Sequence, residues 1–256
     1  MRIMNKGSKV RDLTEGSPAG LILGFSIPVF MGNLFQQFYN IVDTLIVGRV
    51  LGADALASVG CTASINFLVV GFCIGLCSGF SIPVAQKFGA KDYEGMRKCV
   101  ANCLWTGISF AALITLVVSL NAMNILRLMK TPSNVIDMSY DYIFVIFLGI
   151  PMTMLYNVAS GLIRALGDSR TPLYFLIFSS FLNIGMDVCF MVSLGMGVFG
   201  AALATVIGQG VSFLAAILYL YRHRESFGFD FRPASFRIEK STLLRLLALG
   251  IPMALQ

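Results

Sequence analysis

Two aspartates stand alone inside long uncharged stretches and are the residues most able to do chemistry. Asp43 is the single charge in residues 16–48, and Asp187 is the single charge in residues 171–221. An acid inside a membrane costs at least about 2.5–3.5 kcal/mol to insert, and such residues usually mark an ion or substrate path. A structural pairing with arginine is the alternative, although Arg49 lies too near the expected surface to pair well with Asp43. We therefore predict ion coupling at these two acids.

Two polar residues are expected beside the acids. Asn183 precedes Asp187 by one helical turn and shares its face. Counted along the expected helices at 1.5 Å per residue, Asp187, Thr205 and Asp43 fall into one layer in the outer half of the membrane. Such a layer has two uses, because neighbouring buried carboxyl groups favour holding a proton and carboxylate, amide and hydroxyl oxygens also suit Na⁺. We predict a cation-coupling site, for H⁺ or Na⁺, formed by Asp43, Asn183, Asp187 and Thr205.

A polar stripe precedes Asp43 on the same expected helix. Its positions follow the i, i+3/i+4, i+7 spacing of one helical face, which cannot face lipid. Hydrogen bonding between helices is the other use of such amides. We predict that the stripe lines a substrate cavity, through Asn33, Gln36, Gln37, Tyr39 and Asn40, with Asp43 and Thr44 continuing it.

The elements that position these residues are transmembrane helices. Hydrophobic residues make up 57% of the 256-residue chain and charged residues only 12%, with a mean hydropathy of +0.80. Soluble domains contain about 25% charged residues, so this chain must be solvated mostly by lipid. The fold class is therefore an all-α polytopic membrane protein with a glycine-rich turn (Gly195, Gly197, Gly200) between the last two of six spans. The predicted spans are Ala19–Val47, Ile65–Val84, Cys99–Leu120, Tyr142–Ile163, Leu173–Leu194 and Val198–Tyr221.

Lysine and arginine predict the orientation. With a cytoplasmic N-terminus, the inner segments hold 16 basic residues and the outer segments hold 3. This is a strong positive-inside signal, and it accounts for the net charge of +6 through contact with anionic lipid rather than nucleic acid. The predicted location is the plasma membrane.

The last residues indicate the start of a repeat. Leu247–Met253 resembles Leu23–Val29 at an offset of 224 residues, and both segments open an apolar span after a basic stretch. The predicted organisation is a cytoplasmic segment at 1–18, a six-helix lobe at 19–221, a cytoplasmic linker at 222–242 and the start of a seventh helix at 243–256. The remainder of a second lobe would bring the total to roughly 450 residues.

Cysteine and histidine predict no metal centre or catalytic site. Cys73 and Cys77, like Cys99 and Cys103, stand one turn apart without histidine or acid nearby, so they are expected to be small packing residues. We expect no cofactor other than the coupling ion, and no metal other than possible Na⁺ at the four-residue site.

Several short motifs along the chain resemble those of the multidrug and toxic compound extrusion (MATE) transporters, in particular the DinF-like branch. The resemblance implies two six-helix lobes around a cavity, cation antiport by a rocking motion, a coupling role for Asp43, Asn183, Asp187 and Thr205, and a bend at Pro28. The motifs are Pro28, Tyr39–Thr44, Val47–Ala57, Gln86–Ala90, Leu162–Pro172 and Gly197–Thr205.

Two other functions remain open at this point. A lipid-linked sugar flippase of the same superfamily would be expected to place several arginines or lysines in its cavity, and the predicted spans contain none. A membrane enzyme would need a catalytic group, for which Asp168 beside Arg164 is the candidate. Apolar walls, aromatic residues and two acids instead favour export of amphipathic organic cations by a protein that is not an enzyme.

Overall fold

The computed structural model describes residues 17–224, 227 and 239–256. Five of the described helices are long and apolar enough to cross a membrane, and a bent helix pair provides a sixth span. The chain is thus a multi-pass membrane protein. Its helices are α1 (Pro18–Leu51), α2 (Ala53–Gly89), α3 (Tyr93–Leu128), α4 (Ile136–Leu148), α5 (Ile150–Ala165), α6 (Thr171–Val188), α7 (Gly197–Arg222) and α8 (Lys240–Ala254).

The fourth span is broken, where the sequence predicted one helix over Tyr142–Ile163. The axes of α4 and α5 differ by 44° at Gly149. Pro151 opens α5 and cannot donate a backbone hydrogen bond, and Gly149 packs so closely on Val206 of α7 that a Cβ atom would collide with it. The bend follows from these two residues.

The helices are also longer than the predicted spans. The second span was predicted at Ile65–Val84, within an uncharged stretch, whereas α2 continues through Asp54 in its first turn and Lys87 in its last turn. Charged side chains at helix ends reach the membrane surface, so they do not end the helix. A single residue, Gly52, joins α1 to α2 with a φ of 90°, which glycine adopts without steric cost.

The predicted glycine turn before the last span is only partly correct. A π-helical turn, Cys189–Ser193, follows α6, and Gly195 and Gly197 then adopt φ values of 62° and 59°. Gly200 lies inside α7 rather than in the turn. Its absent side chain allows the close approach of Phe190, whose Cβ would lie 3.0 Å from an added Cβ.

The main core lies between α2, α3 and α5. Phe80 and Met154 are fully buried there beside Phe147 of α4, and Cys73, Cys77, Cys99 and Cys103 pack with them. The Cys77 and Cys103 thiols donate to the backbone carbonyls of Met154 and Phe80, at 3.7 and 3.2 Å. Outside this core, α1 exposes large apolar side chains, including 64% of Phe38, which is the expected condition of a lipid-facing helix.

The last helix packs on α2 through glycines. A Cβ atom on Gly79 would lie 2.5 Å from the Cα of Gly250, so the two backbones are in direct contact. Close packing of small residues is a common way for helices to associate in membranes. At the charged end of the same interface, Arg245 donates to the Gln86 side chain at 2.8 Å. The helix begins at Lys240, three residues before the predicted start at 243.

Basic residues concentrate at one end of the bundle. The turn between α2 and α3 holds an ion pair of 2.7 Å between Lys87 and Asp92, and Asp92 also accepts from the Gly95 N–H at the start of α3. Both contacts hold the pKa of the Asp92 carboxyl below its ordinary value. Residues 1–16 of the predicted cytoplasmic segment lie outside the described residues, and so does most of the predicted linker 222–242.

Candidate functional site

The two membrane aspartates lie in contact. Asp43, in the last third of α1, meets the side chain of Asp187 at the end of α6. Asp187 is fully buried and Asp43 is half-buried. Within the described part of the chain, neither acid forms an ion pair with lysine, arginine or histidine. The structural alternative, a buried acid held by arginine, therefore has no support among these residues.

The predicted amide and hydroxyl complete the cluster. Asn183, one turn before Asp187, donates from its amide to the Thr205 hydroxyl at 3.4 Å. The Thr205 hydroxyl in turn donates to the Ala201 carbonyl at 3.2 Å within α7. The sequence prediction that three helices bring Asp43, Asn183, Asp187 and Thr205 into one layer matches this geometry.

Two tyrosines join the layer. The Tyr39 hydroxyl lies beside the Thr205 hydroxyl and close to both carboxyl groups. Tyr142 of α4 faces the same two carboxyl groups and is buried. Tyr142 was absent from the predicted site, since it began the fourth span and carried no periodic signal of its own.

Several oxygens of this cluster are buried and accept no hydrogen bond from any of the described residues. They are Oδ1 of Asp43, Oδ1 of Asn183 and both carboxyl oxygens of Asp187. An unpaired buried oxygen costs about 1–3 kcal/mol, and more if it is charged. Four such atoms together form a cluster of acceptors that a cation would satisfy.

Local backbone features hold this cluster in position. The π-helical turn starts two residues after Asp187, and π-helical turns are frequent at functional sites because they re-aim the flanking side chains. One turn earlier than Asn183, Ser179 donates to the Gly208 carbonyl at 2.9 Å and fastens α6 to α7. Gly208 leaves room for this approach, with an added Cβ 3.3 Å from the Ser179 hydroxyl.

A cavity of about 820 Å³ opens beside the cluster. Asp43 and Thr205 line it, whereas Asn183 and Asp187 are buried behind them. The predicted stripe residues of α1 all face this cavity, as does the proposed hinge residue; they are Pro28, Asn33, Gln36, Gln37, Tyr39, Asn40 and Thr44.

The amides of the stripe hydrogen-bond along α1 rather than between helices. Gln36 donates to the Asn40 side chain at 3.2 Å, and Asn40 donates to Gln37 at 3.3 Å. The Thr44 hydroxyl donates to the Asn40 carbonyl at 2.8 Å. These groups keep free hydrogen-bonding capacity toward the cavity.

A second polar stripe lines the opposite wall and was missed. It runs along α5 with the same helical spacing and consists of Thr153, Tyr156, Asn157, Ser160 and Arg164. The periodicity was available in the sequence but is less obvious, because the stripe carries no acid. It also corrects the expectation that no basic residue would face the cavity: α5 extends to Ala165 and brings Arg164 into the lining.

Asp168, the candidate for a membrane enzyme, is occupied by structural contacts. Its carboxylate accepts from the backbone N–H groups of Arg170 and Thr171 at 3.1 and 3.0 Å. The hydroxyls of Thr171 and Tyr219 donate to it at 2.6 Å each. These bonds fix the turn between α5 and α6 and join it to α7.

Comparisons with known proteins agree with this arrangement. The MatE family model matches residues 28–189, which is more than half of the chain. A probable multidrug resistance protein, YoeA from Bacillus subtilis, is 34% identical over 236 residues, covering 90% of this chain and 51% of that protein. The chain spans about half the length of the curated relatives that it matches.

Solved structures share the helical arrangement. A crystal structure of MATE in the bent conformation superposes with a TM-score of 0.89 at 28% identity, over 98% of this chain and 55% of that one. The straight conformation gives a TM-score of 0.87 with the same identity and coverage. Together with the family match and the paired membrane aspartates, these likenesses establish that the chain belongs to the MATE family of multidrug efflux transporters.

Proposed function

We propose that this chain forms the N-terminal lobe of a secondary active transporter, which exports amphipathic organic cations in exchange for H⁺ or Na⁺. The coupling ion binds at Asp43, Asn183, Asp187 and Thr205. The stripe of Asn33, Gln36, Gln37, Tyr39 and Asn40 contacts the substrate.

One observation carries this proposal, namely the contact between Asp43 and Asp187 without a basic partner in the described chain. Two carboxylates side by side in a low dielectric repel each other. A bound proton or Na⁺ relieves that repulsion, so the pair is stable only when it holds a cation. A purely structural cluster would have no need of this arrangement.

The geometry also supports exchange rather than co-transport. Asp43 faces the cavity and touches the buried Asp187 at the same time. A cationic substrate in the cavity and a coupling ion behind it would therefore compete for the same negative charge. Competition of this kind couples the two by mutual exclusion, because each weakens the binding of the other.

The cavity suits the proposed substrates. Its volume of about 820 Å³ lies within the 300–1,000 Å³ of ordinary small-molecule sites. Tyr39, Tyr142 and Phe67 line it with aromatic faces, which attract organic cations. The described lining contains a single arginine, while a pyrophosphate-bearing lipid would need several cations, so the flippase alternative is less favoured.

The transport cycle would need the second lobe. The similarity between Leu247–Met253 and Leu23–Val29 supports a repeat that begins with α8 and closes the cavity from the other side. Pro28, inside α1, would then be the point at which the helix bends between states. The existence of bent and straight forms among the solved relatives is consistent with this hinge.

We further propose that the N-terminus is cytoplasmic, that the protein resides in the plasma membrane and that it belongs to the DinF-like branch. The bias of lysine and arginine supports the orientation.

Reconstitution into proteoliposomes tests the function. The full-length protein should drive efflux of a fluorescent organic cation such as ethidium when a pH or Na⁺ gradient is imposed, and the two gradients are varied separately to identify the ion. An efflux rate that is the same with and without each gradient would reject antiport.

A further inference from the structure

The cavity carries opposite charges at its two ends. Among the described residues that line it, Asp43 is the one acid and Arg164 is the one base. Arg164 lies in the last turn of α5, and α6 starts a few residues later at Thr171. Asp187, the partner of Asp43, is 16 residues further along α6, which places it roughly 24 Å from that end at 1.5 Å per residue.

Arg164 has no counter-charge among the residues that the structure describes. Its guanidinium is half-buried, and it forms no ion pair with an acid in the described ranges. The nearest acid along the chain, Asp168, already accepts four hydrogen bonds from Arg170, Thr171 and Tyr219. The electrostatic neighbour of Arg164 is instead the hydroxyl of Tyr156, which faces the same cavity.

The groups around Arg164 suit an anion. Ser160 lies one turn before it on α5 and Ser169 follows in the connection to α6, and both residues line the cavity beside Tyr156. A guanidinium presents a planar fork that matches the two oxygens of a carboxylate or phosphate, and hydroxyl groups donate to the same oxygens. A half-buried cation of this kind is stabilised when such a ligand binds.

We propose that Arg164, with Tyr156 and Ser160, forms an anion subsite at the basic end of the cavity, which binds the carboxylate or phosphate of an amphiphilic ligand. This inference deepens the proposed function, on which it rests, because it extends the substrate class from organic cations to zwitterions. The anionic group of the ligand would bind apart from Asp43, so the competition between its cationic group and the coupling ion is unchanged. A single guanidinium neutralises one negative charge, which suits a monoanionic group.

Equilibrium binding to two matched dyes tests this subsite without any gradient. Rhodamine B carries a free carboxylate, and its methyl ester replaces that carboxylate with an uncharged group only one methyl larger. The dyes are titrated by fluorescence anisotropy into the full-length protein in nanodiscs. Arg164→Gln should lower the affinity for rhodamine B by about tenfold or more, which is the size expected for one charge-assisted contact. The affinity for the ester should change by less than about twofold. The affinity of Arg164→Lys for rhodamine B should lie between those of wild type and Arg164→Gln.

Arg170→Gln provides the matched control, since Arg170 lies at the same end of the bundle, directly before α6, but is exposed and does not line the cavity. It should leave both dyes unchanged, and ester binding shows that each variant is folded. Equal losses for both dyes in Arg164→Gln, or no loss for either, would overturn the subsite. Failure of the proposed antiport would leave this binding difference intact, so the two outcomes are distinguishable.

The lipid composition of the nanodisc separates the two sources of the anion. The Arg164-dependent advantage is the tighter binding of rhodamine B by wild-type protein than by Arg164→Gln. If it persists when phosphatidylglycerol replaces phosphatidylcholine, the subsite takes the carboxylate of a substrate. If phosphatidylglycerol removes that advantage by competition, the subsite takes a lipid headgroup phosphate. Both results support an anion subsite. If wild-type protein and Arg164→Gln bind rhodamine B with equal affinity in both lipids, the subsite is rejected.

Discussion

The hydroxyl of Tyr219 on α7 donates a 2.6 Å hydrogen bond to the buried carboxylate of Asp168, in the turn between α5 and α6. The bond joins residues 51 positions apart at one end of the bundle. Gly167, directly before Asp168, holds a φ of 90°, which lets the chain reverse there. The turn that leads into α6, and thus toward Asp187, is held by this contact.

Tyr219→Phe should therefore destabilise the protein. Phenylalanine keeps the ring packing against Phe175 but removes a bond to a buried carboxylate, a contact usually worth about 1.5–3 kcal/mol. The expected result is a lower melting temperature in detergent. Tyr174→Phe is the control, because Tyr174 is 57% exposed. Equal melting temperatures for the two variants would contradict the structural role.

The sequence was sufficient to predict the spans and the acid cluster, because charge gaps and helical spacing are local signals. The rise of about 1.5 Å per residue in an α-helix was enough to predict that Asp187 and Thr205 lie at a common depth. The break at Gly149 was missed although Pro151 is a signal for it in the sequence, because the close contact of Gly149 with Val206 of α7 is visible only in the fold. Similarly, Tyr142 joins the acids only through the packing of α4 against α7, the helix that also carries Thr205.

The lining of the cavity shows the same division. The α1 stripe was predicted because its polar residues lead at helical spacing to the membrane acid Asp43. Arg164 was left out because the predicted span ended at Ile163, whereas α5 ends at Ala165. Helix ends extend past the apolar core into the interface, so a boundary based on charge alone is too short. A residue in the last turn of a helix, such as Arg164, is therefore missed when the span is ended at the first charge.

Our second prediction concerns orientation. The turn holding Lys91 should face the cytoplasm, and the loop holding Ser133 should face outside, because the basic residues concentrate on the first side. Both residues are exposed. Single cysteines at each position, in a Cys189→Ser background, should react with a membrane-impermeant maleimide from one side only. The reverse labelling pattern would overturn the proposed topology.

The third prediction concerns Pro28. Proline cannot donate the helical hydrogen bond to the Gly24 carbonyl, so α1 is weakest at this point although it is continuous in this structure. Pro28→Ala restores that bond and should lower the rate of export severalfold without lowering the melting temperature. Pro132→Ala, in an exposed loop, is the control for transport assays. Unchanged export with unchanged ion dependence would remove the hinge proposal.

The last prediction concerns ion coupling at the acid pair. Asp43→Asn and Asp187→Asn should each abolish gradient-driven export by the full-length protein, because either change removes the repulsion that a bound cation relieves. Membrane insertion should be intact, since a neutral amide is cheaper to bury than a carboxylate. Asp54→Asn is the matched control, as its carboxyl group is exposed in the first turn of α2.

The double variant distinguishes one site from two. If Asp43 and Asp187 hold the same cation, losing both should be little worse than losing either, because residues that act as one unit are not additive. Two independent sites would instead give multiplied losses. Efflux of a fluorescent organic cation, followed with pH and Na⁺ gradients imposed in turn, measures each variant against wild type and Asp54→Asn. Full gradient-driven efflux by the double variant would refute the coupling role, and with it the reason for two unpaired acids to meet inside the membrane.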